Sequence, residues 1–196
     1  MAESQAVIAG HFGFAAGVKA RAHDVPLWAL MLACQWLDVV FIPLFGAGIE
    51  RIDPVPGTRG GYGEGIIHAD YTHSLVGALA LSAMFGAVAG WRWGRRSGAI
   101  LAAVVFSHWI LDLVVHRGDM PILPGQTGTL GFGLWRWPAI AAVTELALVA
   151  AGAVMYWRAA VQVSRAAGQS PRRANVAALV VAGAGAVAFT ISLTGN

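Results

Sequence analysis

The sequence predicts an all-α fold: a polytopic transmembrane helix bundle of about six helices, one integral membrane domain over residues 1–196. Three observations carry this. Hydrophobic residues make up 57% of the chain and charged ones 12%, where a soluble domain carries about 25% charged residues. Mean hydropathy is +0.64. The Arg and Lys residues fall in short connections between apolar runs, so a pI near 9.6 reads as membrane topology rather than as nucleic-acid binding.

The first run, 6–18, is short and rich in small residues, and carries His11 at its middle. It is expected as a short or tilted helix. Lys19, Arg21 and His23 follow, and Pro26 suits the first turn of the next helix. The run 27–49 is long enough to cross and contains Gln35 and Asp38. A Gly/Pro-rich connection from Glu50 to Gly65 is expected to be disordered or a lid. The run 71–91 opens with His68-Ala69-Asp70-Tyr71-Thr72-His73-Ser74, where Asp70 or Thr72 is a good N-cap. A basic turn, Trp91 to Arg96, leads into the run 98–116. A second loop, 117–137, precedes the run 138–157, which carries Glu145. The last run, 175–193, has no charge, and its Gly and Ala residues suit helix packing. The single cysteine, Cys34, excludes an internal disulfide, and Met1 to Ser4 lack the basic segment of a cleaved signal peptide.

Six crossings put Lys19, Arg21, Arg92, Arg95, Arg96, Arg158, Arg165, Arg172 and Arg173 on one side, against Arg51, Arg59, Arg117 and Arg136 on the other. The positive-inside rule then places both termini outside the cytoplasm. Trp28, Trp91, Trp93 and Trp157 mark the inner boundary, and Trp135 and Trp137 the outer one.

On that topology the intramembrane polar residues converge. His108, Asp112 and His116 recur at i, i+4, i+8, one helix face. His68, Asp70 and His73 lie at the outer mouth of the third run. Asp38 falls about 16 Å below the outer end of its span and Glu145 about 10 Å below Pro138. Five of the six runs thus offer His or carboxylate at overlapping depth, in a medium where such groups must be paired, metal-bound or facing water. Imidazole with carboxylate suits a divalent metal, Zn²⁺ first, with Mn²⁺ or Mg²⁺ for carboxylate-richer sets. A remaining carboxylate such as Glu145 is then a candidate general base.

These residues resemble the motif blocks of a bacterial inner-membrane family of membrane-bound, metal-dependent hydrolases. His11 corresponds to the His of the family's first helix, and Asp38 to the first Asp of its Pro-Asp-x-Asp. His68, Thr72, His73 and Ser74 correspond to His-Arg-Gly-x-Thr-His-Ser, and His108 and Asp112 to His-x-x-x-Asp. The likeness covers about residues 5–125. Leu37, Val40 and Ala69-Asp70 depart from the pattern; Val40 removes one carboxylate, for which Asp70 is the available replacement.

The resemblance implies a metal site; with the depth of the polar residues, the expected ligands are Asp38, His73, His108 and Asp112, with His116 a further metal candidate, and with Glu145, His11 and His68 as catalytic, proton-transferring residues. The expected activity is hydrolysis at an extracytoplasmic site in the inner membrane, and the headgroup-to-upper-acyl depth of the site points to an amphiphilic, lipid or lipid-linked substrate, a phosphoester among the options. Two other readings fit the same residues. A proton- or metal-ion-coupled transporter would continue the polar path to the inner side, where Gln35, Ser82 and Ser97 are few. A non-catalytic subunit of a membrane complex would tolerate Asn at Asp38 and Asp112.

Overall fold

The computed structural model describes residues 8–57, 65–126, 128 and 130–194. Gly60, Gly61 and Gly63 of the expected first loop, and the start of the first run, lie outside them. Seven helices dominate the described residues: α1 (Ile8–Lys19), α2 (Leu27–Ala33), α3 (Trp36–Gly46), α4 (Leu75–Trp93), α5 (Arg95–Val115), α6 (Pro138–Ala166) and α7 (Arg172–Thr194). Of these, α4, α5 and α6 are long and apolar enough to cross a membrane, and a fourth span results if α2 and α3 count as one.

The first run is a 12-residue helix. At about 18 Å it is shorter than a hydrocarbon core of about 30 Å. It packs on α6 through glycines: a Cβ on Gly152 would run into the Gly13 carbonyl, and one on Gly13 would sit 2.5 Å from the Leu148 carbonyl oxygen. Gly152→Val is therefore expected to prise α1 from α6 at a cost of about 1–3 kcal/mol, read as a lower melting temperature in detergent. The α4–α5 hairpin follows the same logic. Gly86 and Gly98 let the two backbones approach, and Gly94, at φ 87° and ψ 156°, turns the chain between them.

The second run departs from the single span expected for 27–49. It breaks at Cys34 and Gln35 into α2 and α3, bent by 49°. The break has a physical cause. The Cys34 carbonyl, which a continuous helix would give to a residue one turn on, accepts instead from His108 Nδ1 at 2.7 Å. Irregular backbone at membrane depth persists where the protein supplies such partners.

The expected loop also holds an antiparallel hairpin, β1 (Arg51–Pro54) against β2 (Gly65–His68), with Ile52 opposite Ile67 and Arg51 opposite His68. The alternation of a strand gives it two faces. Ile52 and Ile67 look onto the cavity described below, whereas Asp53 bonds Arg51 and His68 on the other side.

A candidate metal centre beneath the hairpin

Helix α5 turns Leu101, Val104, Val105, His108 and Asp112 inward, and all five are buried. The i, i+4 spacing stacks His108 and Asp112 on that face, with Asp112 Oδ2 3.1 Å from His108 Nε2. Because a carbonyl can only accept, the bond to Cys34 fixes the proton of His108 on Nδ1 and leaves Nε2 as the lone-pair nitrogen of the neutral ring.

His73 is fixed in the same sense by a different device. Glu50, 1% exposed, accepts from the backbone N–H of Tyr71 (2.9 Å) and Thr72 (2.8 Å). It also accepts the Thr72 hydroxyl, 2.9 Å from Oε2. The hydroxyl proton being spent, Thr72 Oγ1 accepts from His73 Nδ1 at 2.8 Å. Trp109 Nε1 donates to the His73 carbonyl at 2.8 Å and ties this segment to α5. The N-cap of α4 is Ser74, whose Oγ accepts from Gly77, and neither Asp70 nor Thr72 as the sequence suggested. Thr72 is thereby released for the histidine.

The two lone-pair nitrogens face each other, His73 Nε2 to His108 Nε2, at 3.3 Å. Asp112 Oδ2 lies 3.4 Å from His73 Nε2, and Asp38 Oδ1 lies 3.5 Å from His73 and 3.6 Å from His108. Asp38 stands in the first turn of α3, where the break has created a helix N-terminus that favours a carboxylate. Ligands at about 2.0–2.1 Å from a tetrahedral ion stand about 3.3–3.4 Å apart, the separation seen between these atoms. Two lone pairs pointed at one another repel unless a cation lies between them, so the donor set fits a divalent metal. His11 joins from α1: its Nε2 is 3.3 Å from Asp112 Oδ1, and its ring stacks on His108 at 4.0 Å. Two overlapping triads result, Asp38 with His73 and His108, and His11 with His108 and Asp112.

Two of the expected catalytic residues stand elsewhere. Glu145 is buried on α6, but Oε1 accepts from the backbone N–H of Ala9 (2.8 Å) and Gly10 (3.1 Å). It caps α1 and does not line the cavity, because the exposed N–H groups of a helix start draw a carboxylate. His11 follows directly after Gly10, so this cap holds the segment that carries it. His68 lies on β2 with Nε2 3.0 Å from Asp53, on the hairpin face turned from the cluster, because strand alternation sends it opposite to Ile67. His116 caps the end of α5 and lies outside both triads; Nδ1 is held by Asp119 Oδ1 at 3.0 Å and the ring packs against Trp135. It nevertheless lines the cavity. Asp70 does not.

That cavity is about 320 Å³, with His11, Asp38, His73, His108 and Asp112 at its polar end and Phe12, Val39, Phe41, Ile42, Ile52 and Ile67 forming its wall. Glu50 and Asp119 are the functional candidates that sequence reasoning missed. Each sits in a polar connection, and no spacing ties Glu50 to Thr72 or marks Asp119 as the partner of His116.

No curated protein and no solved structure matches this chain. The helices long and apolar enough to span agree with a match to the family described as YdjM inner membrane protein, over residues 1–195. The chain is a member of that inner-membrane family.

Proposed function

We propose that the protein is a membrane-embedded, metal-dependent hydrolase of an amphiphilic substrate. The observation that carries this is the pair of imidazole nitrogens, each stripped of its proton by a bond on the far side of the ring, facing each other at 3.3 Å between two carboxylates. Asp38, His73, His108 and Asp112 would hold the ion, and His11 would orient Asp112. Two imidazoles with carboxylates favour Zn²⁺, with Mn²⁺ next. A divalent ion supplies Lewis acidity there and brings the pKa of water to about 7.

The chain's own part is positioning, dryness and proton movement. The apolar wall keeps bulk water away and receives the greasy part of the substrate. His116, held by Asp119, is the cavity imidazole outside both triads and takes the role first given to Glu145. The site faces the extracytoplasmic side in this reading: Asp112 is about 25 Å along α5 from the basic turn at Arg95, and the positive-inside rule sends that turn to the cytoplasm. A transporter is disfavoured because Ser82, a buried hydroxyl of α4, is spent on the Ala78 carbonyl within its own helix.

Elemental analysis of the detergent-purified protein tests the reading. Stoichiometric zinc or manganese, present as purified or after reconstitution, is expected. A protein that stays metal-free after reconstitution overturns it, and leaves the cluster to be held together by protons.

A further inference from the structure

The charge and the walls of the cavity narrow the substrate beyond "amphiphile". We infer that the scissile group is an uncharged carboxylic ester or amide on an apolar acyl chain, and not a phosphoester. The inference rests on the metal-hydrolase reading.

Charge comes first. Asp38 and Asp112 bring two negative charges to the polar end, so a divalent ion brings it to zero. The remaining polar cavity residues are His11, Gln35, His73, His108 and His116, and among the described residues no Lys or Arg lines the cavity. Sites that transfer phosphoryl groups surround the transferring oxygens with Arg, Lys or several metal ions. A phosphodiester here would carry an uncompensated charge into an apolar, membrane-level pocket. A carbonyl arrives neutral and develops one negative charge at one oxygen, which one cation can meet.

The wall makes the second argument. Val39 and Ile42 line the cavity yet remain 39% and 67% exposed, so the cavity side of α3 is continuous with the surface it turns to the bilayer. Above them the cross-strand pair Ile52 and Ile67 closes the mouth with more aliphatic surface. An acyl chain can move sideways from lipid along α3 with its carbonyl leading toward Asp38 and His73. Water then adds at the acyl carbon: the new C–O bond comes from water, the bond to the leaving alcohol or amine breaks, and the proton of water passes by way of His116 to the leaving group. The products are a fatty acid and an alcohol or amine, with no other reactant needed.

The test uses zinc-loaded protein in detergent with three probes of matched chain length. The first two are the substrates p-nitrophenyl dodecanoate and dodecyl p-nitrophenyl phosphate; the third is the ketone 2-tetradecanone, a neutral carbonyl with no bond to hydrolyse, set against dodecyl phosphate as the reference competitor. The dodecanoate is expected to turn over about 100-fold faster in kcat/KM than the phosphodiester, as a site built for one group rejects the other. The ketone is expected to bind more tightly than the phosphate, to metal-free and loaded protein alike. Ile67→Arg, which puts a guanidinium into the wall, is expected to reverse that binding order. Preferential cleavage of the phosphodiester, or tighter binding of dodecyl phosphate to the wild type, overturns the acyl assignment and leaves the hydrolase reading standing. Cleavage of neither probe by protein shown to carry zinc overturns the acyl assignment as well. Failure to take up zinc is a failure of the earlier reading, seen before any substrate is added.

Discussion

His108→Ala is expected to lose the metal altogether. His108 belongs to both triads, and its Nε2 lies within 3.6 Å of His73, Asp38 and Asp112 donors. Losing an outer partner of a metal ligand costs about 10–100-fold in affinity, so removing the ligand shared by both triads should exceed that range. Competition against a chromophoric chelator measures it. Asp112→Asn keeps the shape, loses one charge, and is expected to fall in the same class, because the amide presents a weaker donor to the ion and breaks the contact that orients His11. Hydrolysis should drop to background in both. A His108→Ala protein that keeps stoichiometric zinc would remove the ion from the site argued above. Circular dichroism separates loss of metal from loss of fold.

The second large effect is expected at a residue that never meets the metal. Glu50 holds Thr72, and Thr72 holds the Nδ1 proton of His73. Thr72→Val removes the acceptor and frees His73 to adopt the other tautomer, so metal affinity should fall about 10–100-fold. Thr72→Ser, which restores the hydroxyl, should recover most of it. A merely structural role for the side chain predicts the reverse order, since valine matches threonine in shape and serine does not. Glu50→Ala should be worse in a different way. It leaves the Tyr71 and Thr72 N–H groups without their acceptor, and the buried one, Thr72, carries a cost of about 1–3 kcal/mol when left unpaired. A melting curve should therefore register Glu50→Ala strongly and Thr72→Val weakly.

How much of this was legible in the sequence follows from what each feature is made of. The helices α4 to α6 show as long apolar runs because hydropathy is additive along the chain. Asp38, His73, His108 and Asp112 stand out because a charge within such a run is costly and needs a reason. The break at Cys34 was invisible, since the apolar run continues through it and the contact that causes it uses a backbone carbonyl, which no residue type announces. Glu50 looked like any acid at the end of a helix; its burial depends on a segment 22 residues later folding over it. Glu145 misled for the opposite reason. A mid-span carboxylate reads as chemistry, and only the glycine-mediated approach of α1 reveals that it serves a helix end. The hairpin was obscured by the Gly and Pro of its connection, although Ile52 sits between Arg51 and Asp53 in the alternation of a strand.

The cap on α1 also bears on how the protein is made. Helix α1 leaves the ribosome before α6, yet it is too short to span, and the carboxylate that receives its N-terminal amides is 136 residues away in sequence. At about 5–20 residues per second, Glu145 follows roughly 7–27 s later. Until then the N-terminal amides of α1 lack that acceptor, so the second triad is expected to close only after α6 has emerged. The nascent chain can gather Asp38, His73 and His108 once α5 has emerged, but the complete cluster waits on α6.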